Sequence, residues 1–180
     1  MFRTISVLVL VTALSAPASA LTIAPLTFEQ LVEAATAVIY ARVSGVQGRW
    51  TADRRSIESL VTLQPLRYLK GNLGDGVIMR LPGGEAGGLL HVLPGAPVLR
   101  AGDLAVIFLE WRGPSIPIPV GLTQGVFRVL VDSQTGRAVV TSPPLKASAV
   151  GRVIRGAAER RALTVDRFAE QVRAITESHQ

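Results

Sequence analysis

The chain has no cysteine and two histidines in 180 residues. Without a thiol there is no disulfide framework, no thiolate nucleophile, no zinc ribbon and no iron–sulfur ligation. His91 and His179 are too few for a histidine-rich metal cage. Aromatic residues make up 5% of the chain, which leaves little for the stacking platforms of single-strand nucleic-acid binders. Lysine is nearly missing: Lys70 and Lys146 stand beside 17 arginines, and the net charge is +6. Those arginines are spread along the chain and adjacent at Arg54-Arg55 and Arg160-Arg161. A nucleic-acid reader needs a clustered basic footprint, so no nucleic-acid partner is expected. The metalloprotease pattern H-E-x-x-H, the nucleophile elbow G-x-S-x-G, the S-x-x-K dyad and an acidic calcium loop are all missing from the sequence. No cofactor is expected.

What is present begins with an export signal. Met1-Phe2-Arg3 is a short basic start, Ile5 to Leu14 is mostly apolar, and Ala18-Ser19-Ala20 follows Pro17 as a small-x-small site. This tripartite pattern predicts a signal peptide over residues 1–20, cleaved near Ala20. The apolar run is shorter than the ~20 residues a membrane-spanning helix needs. No later stretch is that long, so no integral membrane segment is expected after cleavage. The protein is expected to be exported, to the periplasm or beyond the cell. Removing the signal leaves 160 residues with a net charge of +5, a length that buries a single core without disulfides.

Residues 21–145 read as a β-domain with a short N-terminal helix. Thr27-Phe28-Glu29-Gln30 has the form of a capping box ahead of a helix over Phe28 to Ala35. Strands are predicted at Ala37 to Val46, Ile57 to Lys70, Val77 to Leu81, Leu89 to Leu93, Leu104 to Glu110 and Gly125 to Val131, with a return at Arg137 to Thr141. Gly45, Gly48 and Asp53 are expected to mark a hairpin region around Arg49-Trp50. Pro65 cannot donate a ladder hydrogen bond and predicts an edge or a bulge. In Leu104 to Glu110 both alternating sets are apolar, which predicts a central strand covered on both faces. Phe127, Val129 and Val131 are expected to face the core. Of the 28 glycines and prolines, 17 fall between residues 71 and 121. Such close punctuation of short strands predicts a small antiparallel barrel or sandwich. Residues 146–180 return to helix: Ala147 to Arg161, then a second helix capped by Thr164 with the stripe Val165, Phe168, Ala169, Val172 and Ile175.

Few residues could carry chemistry. Gly83-Gly84-Glu85-Ala86-Gly87-Gly88 is glycine-dense enough to cradle a phosphate. It has no lysine, however, and a strand-like run follows it where a phosphate loop needs a helix, so a strained turn or bulge is the favoured reading. His91 alternates with Leu90 and Val92 on a strand. Glu85, Asp103 and Glu110 are the carboxylates near it, and an acid–base hydrolase would need Glu85, His91 and Asp103 in one cleft. Arg49-Trp50 and Arg112-Trp111 are two cation–aromatic pairs at strand ends. Such pairs either anchor a partner or close the ends of a barrel. Arg49, Trp50, Glu85, His91, Trp111 and Arg112 are therefore the candidate partner-binding residues.

A set of short motifs resembles one family. It comprises Tyr68-Leu69-Lys70-Gly71, Pro82-Gly83-Gly84, Gly87-Gly88, Pro94-Gly95-Ala96-Pro97, Ala101-Gly102-Asp103 running into Leu104 to Leu109, and Gly121-Leu122-Thr123-Gln124-Gly125-Val126-Phe127-Arg128-Val129. Over residues 26–141 this set resembles exported bacterial proteins of uncharacterised function, often encoded beside secreted matrixin-type metalloproteases. Ala37 to Val43, with Leu69-Lys70-Gly71, is also similar to netrin-like, OB-type barrels of the metalloprotease-inhibitor kind. Those inhibitors chelate zinc through an N-terminal cysteine. This chain has none, so that mechanism does not carry over. That family brings no proven activity. The expected function is a non-catalytic β-domain that binds a secreted protease or another envelope protein through the Gly/Pro-rich stretches 82–97 and 112–124 and the two Arg–Trp pairs. The alternatives are a small carboxylate-dependent periplasmic hydrolase and an envelope-associated structural protein.

Overall fold

The computed structural model describes residues 24–111, 114–133, 135–141 and 163–178. The expected signal segment, the helix expected over Ala147 to Arg161, Arg112 and His179 lie outside the described residues.

Helix α1 (Phe28–Ala34) starts at the expected capping box. The Thr27 hydroxyl accepts from the Gln30 amide and the Gln30 side chain accepts from the Thr27 amide. Then come β1 (Ala37–Trp50), β2 (Ile57–Lys70), β3 (Val77–Pro82), β4 (Gly84–Ala86), β5 (Leu89–His91), β6 (Leu104–Glu110) and β7 (Ile118–Pro119). A 3-10 turn (Leu122–Gly125) leads into β8 (Val126–Val131), followed by β9 (Ala138–Val140), β10 (Leu163–Thr164) and α2 (Val165–Ser178).

Eight strands make one antiparallel sheet in the order β10-β9-β8-β6-β1-β2-β3, with β7 added on β6, and β4 and β5 form a separate hairpin. The mainly β class follows the expectation. Closure into a barrel is not part of this pairing, because β3 ends the strand order. One hydrogen bond, from the Arg80 amide to the Pro117 carbonyl at 2.9 Å, joins the outer edge of β3 to the chain entering β7.

Both faces of the sheet are apolar at its centre, as the unbroken β6 run requires. Val106 and Phe108 join α1, α2 and β8 in one cluster, whereas Ala105, Ile107 and Leu109 join β1, β2 and β3 in a second. In the first, Phe28, Phe108, Phe127 and Phe168 all touch one another, with ring centroids 5.2–6.4 Å apart. The α2 stripe is buried here through Val165, Phe168, Ala169 and Val172, with Ile175 partly so. The helix therefore packs on the sheet. Lys70, at the end of β2, donates from Nζ to the Val32 carbonyl at 2.6 Å and so satisfies an acceptor of α1. Burial holds its ammonium below the ordinary lysine range, partly offset by Glu33.

Some expectations are corrected. β1 does not turn at Gly45. The register shifts between Val43 and Gly45, so this glycine is a bulge, and the strand continues until Trp50 pairs with Ile57. The hairpin turn is 51–56, where the Thr51 hydroxyl and the Arg55 amide hold the exposed Asp53 carboxyl below its usual range. Pro65 sits opposite Ala41 beside another register shift and beyond the last β2–β3 pair, Leu63–Val77. There its missing N–H costs no ladder bond. The strand expected to reach Leu93 stops at His91, and Val131 is exposed because β8 runs past the cluster that buries Phe127 and Val129.

Candidate functional site

The long β1–β2 ribbon projects past the end of β6, since β6 pairs with β1 over Ala37 to Arg42. Beyond the bulge the ribbon keeps Gly48 and Ser59 opposite each other, on the face shared with buried Val61. The β4–β5 hairpin lies across that face. An ideal Cβ on Gly48 would stand 1.9 Å from the Glu85 carbonyl oxygen, so the close crossing requires glycine there. The Ser59 hydroxyl donates to the Gly83 carbonyl at 2.8 Å, and the Gly83 amide donates to Ile57 O at 2.8 Å. Gly84, at φ +135°, passes directly over Ser59. His91 Nδ1 accepts from the Ile57 amide at 3.4 Å.

Between this hairpin and the Pro94–Arg100 segment is a cavity of about 580 Å³. Leu81, Leu99 and Ser59 are buried at its base. Its rim is apolar and exposed: Leu90 (70%), Val92 (69%), Val98 (65%) and Val46. Trp50 sits beside it, its indole nitrogen 3.6 Å from where a Gly87 Cβ would stand. Singly exposed apolar residues need no explanation, but several contiguous ones mark a contact surface.

Charges frame the site. Glu58 is 8% exposed and accepts from Arg49 Nε at 2.8 Å, with Arg80 3.7 Å from its other oxygen. Glu58→Gln is expected to cost about 1–2 kcal/mol, because the buried position loses a charged acceptor and turns an amide NH2 towards a guanidinium that also only donates. Thermal unfolding reads the loss, and amide exchange should localise it to the turn between β1 and β2. Asp103 bonds Arg128 at 3.2 Å and the Arg100 amide at 2.9 Å.

Of the candidate residues, Trp50, Glu85 and His91 come together here, whereas Arg49 pairs with Glu58 on the other face of the ribbon. Trp111 is not among them either. Its amide donates to Thr36 Oγ1 and its indole to the Ser115 carbonyl, at the opposite end of β1. Fourteen residues of strand separate the ends, roughly 40 Å at ~3.3 Å per residue. Glu85 and His91 share the hairpin but not a face: Glu85 pairs with Leu90 and His91 with Gly84, so their side chains leave opposite sides. Asp103 does not line the cavity. Among the described residues no group of three or more His, Asp or Glu is arranged to hold a metal, and no helix is long and apolar enough to cross a membrane.

Leu90 and Val92 fall within the 82–97 stretch expected to form part of the surface, though not as individual residues, whereas Val98 and Arg100, just beyond it, were missed and carry no local signal. These features define a mainly β protein with a docked hairpin over an apolar cavity. No family model matches the chain, and no curated protein or solved structure matches it.

Proposed function

We propose that this chain is an exported, non-catalytic β-domain that binds another protein through the β4–β5 end of its sheet. The partner we propose is a secreted metalloprotease of the kind often encoded beside the proteins this chain resembles. The observation that carries the reading is the ring of exposed apolar side chains, Leu90, Val92, Val98 and Val46, around one cavity and beside Trp50. Interfaces draw their energy from such central apolar and aromatic residues. A hydrolase of the kind considered needs Glu85, His91 and Asp103 in one cleft; Glu85 and His91 line the cavity, but from opposite faces of the hairpin, and Asp103 does not line it. We read the curl of β1, β2, β3, β7 and β6 as an OB-like barrel, with the Arg80–Pro117 bond as its seam.

The test is co-purification of the mature protein with that protease, comparing wild type with Val92→Asp/Val98→Asp. Both side chains are exposed, so the fold should stand while binding falls by at least about tenfold. Failure of the wild type to bind, or undiminished binding by the variant, overturns the reading.

A further inference from the structure

The β4–β5 hairpin leaves one backbone edge unused. Gly87 and Gly88, at φ +60° and +77°, form a two-residue type I′ turn. The flanking pair Ala86–Leu89 then exchanges hydrogen bonds, and by alternation so does Gly84–His91. Glu85 and Leu90 therefore turn their N–H and C=O groups outward, on opposite edges of the ribbon. The Glu85 edge is covered, since its carbonyl lies against Gly48 of β1. The Leu90 edge is open: among the described residues β5 pairs with β4 alone.

An open strand edge flanked by apolar side chains is a template for strand addition. The charges around it say which strand. Arg100 is the cation among the described residues that line the cavity. Its neighbour Asp103 is already matched by Arg128, and Glu58 by Arg49 and Arg80. Glu85, the carboxylate lining the cavity, stands on β4, about 5 Å from the open edge by the spacing of paired strands. Arg100 thus faces the cavity without a carboxylate matched to it there.

We infer that the partner engages this site as an extended segment that adds to β5. It exchanges backbone hydrogen bonds with Leu90, seats an apolar side chain in the cavity and brings a carboxylate to Arg100. This deepens the binding reading above and rests on it. The occupant is an apolar, acid-bearing stretch of another polypeptide in extended conformation.

The test is selection from a display library of random peptides on the mature protein. Winners are then resynthesised with alternate backbone amides N-methylated, in each register. Enriched peptides should alternate apolar residues and carry Asp or Glu. N-methylation in one register should weaken them about tenfold or more, the loss expected for two ladder hydrogen bonds. Leu90→Pro removes one outward donor while leaving the β4–β5 bonds intact, and should do the same. Arg100→Glu should reject the acidic peptides and accept versions with Lys in place of the acid. The proposal is overturned if nothing enriches, if N-methylation in both registers is harmless, or if Leu90→Pro and Arg100→Glu both bind as wild type. It is also overturned if the edge serves a second copy of this chain, seen as self-association lost in Leu90→Pro without peptide enrichment. The two readings fail separately. Peptides selected as described without capture of the protease remove that partner and keep the docking mode. Capture sensitive to Val92→Asp/Val98→Asp, with N-methylation of the contact segment harmless, keeps the surface and removes strand addition.

Discussion

Phe168→Ala is expected to lower the unfolding free energy by about 3–5 kcal/mol. Phe168 is 2% exposed and meets Phe28, Phe108 and Phe127 with centroids 5.2–6.1 Å away. Truncation removes a ring from a cluster in which each member touches the other three, and the remaining rings belong to α1, β6 and β8, whose backbones cannot all move in. A total stability of about 5–15 kcal/mol makes this a large fraction, and the midpoint of thermal unfolding should drop by about 10 °C. Phe168→Leu, which keeps most of the volume, should cost under about 1.5 kcal/mol. Because α2 holds the sheet through this side chain and Val172, the alanine variant should also expose Val165 to Ser178 to amide exchange before the β1–β2–β3 region opens. Simultaneous opening of both, or a loss below about 1 kcal/mol, would mean that the ring cluster does not anchor the helix.

Gly48→Val acts on the site instead of the core. Its Cβ would stand 1.9 Å from the Glu85 oxygen, and the obstacle is backbone, so the hairpin must lift. The Gly83–Ile57 and Ser59–Gly83 bonds and the His91–Ile57 contact loosen with it. The sheet itself does not use Gly48 for packing, and valine suits a strand. The expected result is a modest stability loss of about 1–3 kcal/mol, with partner binding reduced at least about tenfold. Rapid amide exchange should appear in residues 83–93 while β6 and β1 stay protected. Unchanged exchange there would show that the hairpin is not held by the crossing at Gly48.

Much of the fold could be read locally. Thr27 and Gln30 announce a cap because capping is an interaction across three residues. The doubly apolar β6 announces a central strand because nothing else buries both faces. Phe168, Ala169 and Val172 mark the buried side of α2 by spacing alone. What could not be read depends on distant partners. Gly45 resembles a turn residue until β2 is laid beside it and the ladder continues past a bulge. Glu58 looks like a solvated strand residue, and its burial follows from Arg80 on β3. Gly48 has no local peculiarity, since the need for glycine comes from a hairpin that crosses it from residues 84–86. The binding surface was half legible. Trp50, Glu85 and His91 are the polar and aromatic edge of it, whereas Leu90 on β5 and Val92 and Val98 in the following segment are ordinary apolar residues whose exposure is decided by topology. Trp111 carried the same local signal as Trp50 and lies at the far end of β1.

Amide hydrogen exchange on the protein, with and without the secreted metalloprotease proposed as its partner, tests the central claim most directly. Binding at the β4–β5 end predicts slowed exchange in residues 83–100, Leu90 included, with the Thr36 and Trp111 end unchanged. Protection confined to the Trp111 end, or none anywhere at saturating protease, would contradict it.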